Sequence, residues 1–102
     1  MELKPGSRWC SAVCSAELVV VRPPKTAGEL RCGGQPLRAI AEPAVEPAAI
    51  DPALSEGVLV GKRYAEVESG IEVLVSRAGL GSLTIDGRKL APKEAKALPS
   101  SD

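Results

Sequence analysis

Three residues of the chain can act as soft metal ligands or nucleophiles: Cys10, Cys14 and Cys32. Histidine is absent. Imidazole acid–base catalysis, Ser-His-Asp and Cys-His pairs and histidine metal ligation therefore all fall away. What remains is thiolate chemistry. Thiolates hold zinc or iron in tetrahedral sites. A reactive thiol instead needs a lowered pKa, for which Arg8 and Arg31 offer nearby positive charge. The plain structural alternative is that the cysteines are small buried hydrophobes. Three is an odd number, which excludes a full internal disulfide framework.

These residues must be positioned by short strands. "ELVVVR" (Glu17 to Arg22) is rich in β-branched residues and stops at Pro23-Pro24. "VLVGKRY" (Val58 to Tyr64) and "IEVLVSR" (Ile71 to Arg77) read as strands too, with Glu68-Ser69-Gly70 as the turn between them. "SLTI" (Ser82 to Ile85) alternates and is followed by Asp86-Gly87, a tight hairpin turn. Cys10 and Cys14 precede one strand, and Cys32 follows the next in "LRCGGQPL". Gly33-Gly34 reads as a hairpin turn requiring positive φ, since Asp86-Gly87 takes the same place without a cysteine. Glu66, Glu68, Glu72 and Asp86 alternate along the second set of strands and read as solvent-facing. Helical propensity is confined to "KEAKAL" (Lys93 to Leu98), too short to be stable alone. The expectation is an all-β protein with little or no helix.

The chain divides near its middle. "AIAEPAVEPAAIDPALSEG" (Ala39 to Gly57) carries prolines at 43, 47 and 52, which forbid a continuous helix or central strand. It reads either as an extended linker or as an ordered loop anchored by Ile40, Val45, Ile50 and Leu54. The flanking halves look like copies. At an offset of 55, Gly6, Arg8, Glu17, Val20 and Arg22 meet Gly61, Arg63, Glu72, Val75 and Arg77, and Trp9 meets Tyr64. With two residues dropped, the offset becomes 53, and Gly28, Leu30, Gly34 and Leu37 meet Gly81, Leu83, Gly87 and Leu90. Two such units can bury face to face what neither buries alone, in pseudo-two-fold fashion. The expected organisation is a first ribbon repeat over 1–40, a connector over 41–56, a second repeat over 57–92 without cysteines, and a tail over 93–102.

An aromatic followed by a cysteine pair, a β-branched strand, a glycine-containing hairpin and a Leu-x-Cys…Gly-x-Pro ending resembles the desulforedoxin family, which includes the N-terminal domain of desulfoferrodoxin. The matching residues are Trp9, Cys10, Cys14, "ELVVV", Gly28, Leu30, Cys32, Gly34, Pro36 and Leu37, and the likeness covers roughly residues 6–40. The resemblance implies a rubredoxin-type ribbon, iron or zinc bound by cysteines, and pairing as a homodimer, here joined into one chain. The chain departs from the pattern in three ways. Its first pair is Cys-x-x-x-Cys rather than Cys-x-x-Cys. Gly33 replaces the adjacent fourth cysteine. The second repeat has Ala65, Ser69, Ile85 and Asp86 where ligands would lie. A site at Cys10, Cys14 and Cys32 then needs a fourth ligand: water, a carboxylate such as Asp86 or Glu68, or a partner's side chain.

Composition narrows the function classes further. Thirteen basic residues balance thirteen acidic ones among 102, with one Trp, one Tyr and no Phe. Neither a basic surface nor stacking aromatics favour nucleic acid. No apolar run is long enough to span a membrane, and "MELKPGSRW" does not resemble a signal peptide. These features point to the cytoplasm. Three readings stand: a zinc- or iron-binding protein with a three-cysteine site, a metal-free accessory subunit with a protein partner or homo-oligomer, and a thiol-dependent redox protein or enzyme. Whether the chain is an enzyme is left open.

Overall fold

Ten short strands make up the computed structural model, which describes residues 3–25, 28–40 and 49–93. They are β1 (Arg8–Cys10), β2 (Glu17–Arg22), β3 (Leu30–Cys32), β4 (Gln35–Pro36), β5 (Arg38–Ala39), β6 (Arg63–Ala65), β7 (Glu72–Arg77), β8 (Leu83–Ile85), β9 (Arg88–Lys89) and β10 (Ala91–Lys93). The expected all-β class is what is found. Among the described residues the helical structure is a single 3₁₀ turn, Pro52–Leu54, and no helix is long and apolar enough to cross a membrane.

Two antiparallel sheets form, in the orders β10-β6-β7-β2-β1-β5 and β4-β3-β8-β9. Each order reads the same from either edge when β1–β5 are exchanged for β6–β10. The registers recur as well. Trp9 faces Leu18 and Cys10 faces Glu17 across β1 and β2, while Tyr64 faces Val73 and Ala65 faces Glu72 across β6 and β7. The central pairing runs through Val19 opposite Leu74 in the large sheet and Arg31 opposite Thr84 in the small one.

Alternation decides what the strands bury. Successive side chains of a strand point to opposite faces. On β2 this sends Leu18 and Val20 inward, each 1% exposed, and on β7 it does the same for Val73 and Val75. They join Leu30 and Cys32 of β3, Leu83 and Ile85 of β8, and Ile71 in one hydrophobic cluster shared by the two sheets. Full burial of such an aliphatic side chain is worth about 1.5–3 kcal/mol. Aliphatic burial therefore supplies a core that nearly lacks aromatics.

The hairpins β3–β4 and β8–β9 turn on Gly33-Gly34 (φ +63° and +93°) and Asp86-Gly87 (φ +50° and +81°). Positive φ at both central residues is the turn that matches strand twist. The shared turn geometry explains Gly33 without reference to a ligand.

Several local expectations need correction. Val58 to Tyr64 is not one strand: Val58 bridges to Gly79 alone, the chain turns at 60–61, and β6 begins at Arg63. Glu66 and Glu72 are not solvent-facing. They are 7% and 4% exposed, and each carboxylate is engaged by hydrogen-bond and ion-pair partners. Glu72 accepts from Lys93 Nζ at 2.9 Å and Arg63 Nη1 at 3.2 Å. Of the expected "KEAKAL" helix, Lys93 belongs to β10, an edge strand that tolerates Pro92, and 94–98 lie outside the described residues. So do 41–48 of the connector. Its remainder is ordered along the small sheet: Asp51 N donates to Gly33 O at 3.0 Å and Ser82 N donates to Leu54 O at 2.8 Å.

Candidate thiol site

Cys14 lies in the loop between β1 and β2, and Ser11 shapes that loop. The Ser11 side-chain oxygen accepts from Val13 N at 3.0 Å and Cys14 N at 3.1 Å. Ser11 N donates in turn to Ala16 O at 2.9 Å. These bonds close a tight knuckle that presents the Cys14 sulfur toward the core. Cys32 arrives from the end of β3 and is fully buried. The two sulfurs are 3.9 Å apart.

Two glycines of the second half close over this pair. A β-carbon at Gly79 would lie 2.7 Å from Cys14 Sγ, and one at Gly81 would lie 2.7 Å from Cys32 Sγ. The 79–81 stretch is thus a lid that only glycine allows so near the sulfurs.

The two thiols are electrostatically unequal. Burial works against ionising Cys14. The Ser11 hydroxyl at 3.3 Å, the backbone amides of Ala16 and Gly81 and the Cys32 thiol outweigh it, and hold the Cys14 pKa below the ordinary thiol value. Burial pushes the Cys32 thiol up to about 12; a bond to Ser11 opposes this, while the charge of Cys14 beside it adds to the rise. Cys14 is the more readily ionised of the two. The groups that lower its pKa are amides, a hydroxyl and a thiol, and Arg31 is turned to Glu29, with Nη2 2.6 Å from Oε1.

Of the three cysteines named from sequence, the fold brings Cys14 and Cys32 together and leaves Cys10 out. Trp9 packs on the core, so Cys10, its neighbour on β1, points to the opposite face. Neither proposed borrowed carboxylate joins the sulfurs. Asp86 lies beside Gly28 and Glu29, and Glu68 pairs with Arg88 at 3.7 Å. Among the described residues no group of three or more His, Cys, Asp or Glu side chains is gathered to hold a metal ion. Sequence reasoning missed Ser11, whose signal was its place at the start of the Cys-x-x-x-Cys loop, where a short hydroxyl side chain caps backbone amides.

The second half builds the same corner with other chemistry. Ser69 stands at the position of Cys14 and Ile85 at that of Cys32. Glu66 takes the part of Ser11, accepting from Glu68 N at 2.8 Å and Ser69 N at 2.9 Å. It reaches the hairpin through Arg88, whose Nε is 3.2 Å from Oε1. An ion pair there ties knuckle to hairpin where the first half has two thiols. No protein-family model matches the chain, and no curated protein or solved structure matches it at a significant level.

Proposed function

We propose that this chain is a tandem pair of desulforedoxin-like ribbons that binds one thiophilic metal ion, zinc or iron, through Cys14 and Cys32. The observation that carries the reading is the sulfur separation. Metal–sulfur bonds of about 2.3 Å at the tetrahedral angle put two thiolates about 3.8 Å apart, and these sulfurs are 3.9 Å apart. The hydroxyl and amide donors around Cys14 fit the role, because they stabilise a thiolate ligand from its outer shell. The strand registers that recur between the halves support a paired-ribbon origin. The described residues supply two sulfurs, and water, a small anion or a partner's side chain would complete the site. Such a metal would supply Lewis-acid or electron-transfer chemistry, and the two cysteines would hold it.

Metal analysis of the untagged, freshly purified full chain tests this. The expected result is one zinc or iron per chain, lost in Cys14→Ser and in Cys32→Ser and kept in Cys10→Ser. A chain that is metal-free as purified and takes up neither ion when titrated in its reduced form overturns the reading.

A second reading, an accessory subunit or homo-oligomer, draws on one surface. Leu59 and Val60 are each 61% exposed and Leu80 is 70% exposed. Leu59 and Leu80 flank a groove floored by Val58, Tyr64 and Gly79. Exposed leucines around a groove suit docking. Sedimentation of the wild type against Leu59→Ser/Leu80→Ser tests self-association through this face; two monomers would remove the homo-oligomer.

A further inference from the structure

The two sulfurs are 3.9 Å apart and unequal in exposure, and no strand pairing holds Cys14 in place. We propose that Cys14 and Cys32 form a peroxide-sensitive dithiol that closes to an intramolecular disulfide. For its effect on metal, the inference rests on the metal reading above. The oxidation itself does not.

Geometry gives the order of events. Cys14 is half-buried and Cys32 is fully buried, so a small oxidant in solvent meets Cys14 first. The Cys14 thiolate attacks one oxygen of a hydroperoxide. An S–O bond forms, the O–O bond breaks, and the departing hydroxide or alkoxide takes a proton from solvent. Cys14 is then a sulfenic acid, oxidised by two electrons. Cys32 attacks that sulfur. The S–S bond forms, the S–O bond breaks, and hydroxide leaves with the proton of the Cys32 thiol as water. With hydrogen peroxide the sum is two thiols and one peroxide giving one disulfide and two waters.

The pair can close because one side yields. Sulfurs 3.9 Å apart must approach to about 2.05 Å. Cys32 is fixed in β3, paired to both β4 and β8. Cys14 lies in a loop, so the movement falls to its side chain and the Ser11 knuckle. Cys10 takes no part, because its side chain leaves the opposite face of β1. Once the sulfurs are joined, neither is a thiolate, and a metal held by them is released.

The test uses the reduced full chain in two forms, chelator-treated and zinc-loaded, each given one equivalent of hydrogen peroxide. The chelator-treated form is expected to lose the mass of two hydrogens and to fall from three alkylatable thiols to one, with peptide mapping placing the bond at Cys14–Cys32. Cys32→Ala and Cys32→Ser, the former guarding against a buried hydroxyl that unfolds the chain, are expected to stop at a Cys14 sulfenic acid trapped by dimedone. Cys10→Ser is expected to close as the wild type does. Over-oxidation of Cys14 with Cys32 still alkylatable overturns the proposal, as does a bond from Cys10. The zinc-loaded form, followed with a chromophoric zinc indicator, separates the two readings. Disulfide closure in a chain that takes up neither zinc nor ferrous iron in its reduced form leaves this inference standing and removes the metal one. Zinc binding without closure does the reverse.

Discussion

Ser11 and Glu66 hold the same corner of the two halves, 55 positions apart, and each side chain caps the amides two and three residues ahead of it. The caps differ in what they serve. Ser11 places a hydroxyl against the Cys14 sulfur, and Glu66 places a carboxylate against Arg88. One corner is organised around a pair of thiols and the other around an ion pair. In the second half Arg88 reaches back to the knuckle from the hairpin, where in the first half the knuckle and the strand end meet through two sulfurs.

The second corner predicts acid sensitivity. Burial alone would raise the Glu66 pKa. The amides of Ser69 and Glu68, the Ser69 hydroxyl and Arg88 outweigh it and hold the pKa down to about 2. Unfolded, the same carboxyl titrates near its ordinary value. Ionised Glu66 therefore stabilises the fold above the ordinary carboxylate range, and this contribution drains away as pH falls through that range toward about 2. Glu72, held low chiefly by Lys93, adds to the loss in the same direction. Urea midpoints measured from neutral pH downward are expected to fall steeply in this window for the wild type and less steeply for Glu66→Gln. Parallel curves for the two proteins would remove Glu66 as a source of the slope.

The first corner predicts a linked pair of effects. Ser11 is buried, and its hydroxyl serves two amides and one sulfur. Ser11→Ala is expected to cost about 1–2 kcal/mol of stability, the scale of a lost cap. The same change removes a donor to the Cys14 thiolate, so the Cys14 pKa rises. In reduced, chelator-treated protein, iodoacetamide labelling of Cys14 is expected to need higher pH than in the wild type. A drop in stability with an unmoved labelling profile would confine Ser11 to capping.

The sequence carried the strand-and-turn plan because that plan depends on local signals: Val-rich runs, proline stops and Asp-Gly or Gly-Gly turns. β2, β7 and β8 fall where these signals lie. The buried acids did not show, because Glu66 and Glu72 owe their burial to Arg88, Lys93 and Arg63, partners brought together by sheet pairing. The expectation for the thiols divides for the same reason. Spacing alone grouped Cys10 with Cys14, whereas the pleat of β1 turns Trp9 inward and Cys10 away. Cys32 reaches Cys14 only once β2 and β3 take their places in the two sheets.

The aromatic of the second half supports a loop through its hydroxyl. Tyr64 is 6% exposed, and its hydroxyl oxygen accepts from Leu59 N at 3.0 Å. Tyr64→Phe keeps the ring in the core and removes that acceptor. Water reaches the neighbourhood of exposed Leu59, so the cost falls at the low end for a hydrogen bond, about 0.5–1 kcal/mol. Amide exchange at Leu59 is expected to quicken while the exchange of β7 amides changes little. Equal acceleration at both places would show that the hydroxyl supports the whole sheet.

The glycine lid over the sulfurs makes the sharpest packing prediction. A methyl at Gly81 meets Cys32 Sγ at 2.7 Å and the Gly33 backbone nitrogen at 2.9 Å, and a methyl at Gly79 meets Ala16 N at 2.5 Å and Cys14 Sγ at 2.7 Å. Neither backbone atom can yield without disturbing a strand connection, so both Ala variants are overpacked by about 1–3 kcal/mol. The double change Gly81→Ala/Cys32→Ala removes the sulfur clash and leaves the Gly33 clash, so it is expected to recover only part of what Gly81→Ala loses relative to Cys32→Ala alone. Thermal melts of the four proteins in reducing buffer measure this coupling. Strict additivity would mean that the lid stands farther from Cys32 than the geometry places it, and full recovery would mean that the sulfur is the whole obstacle.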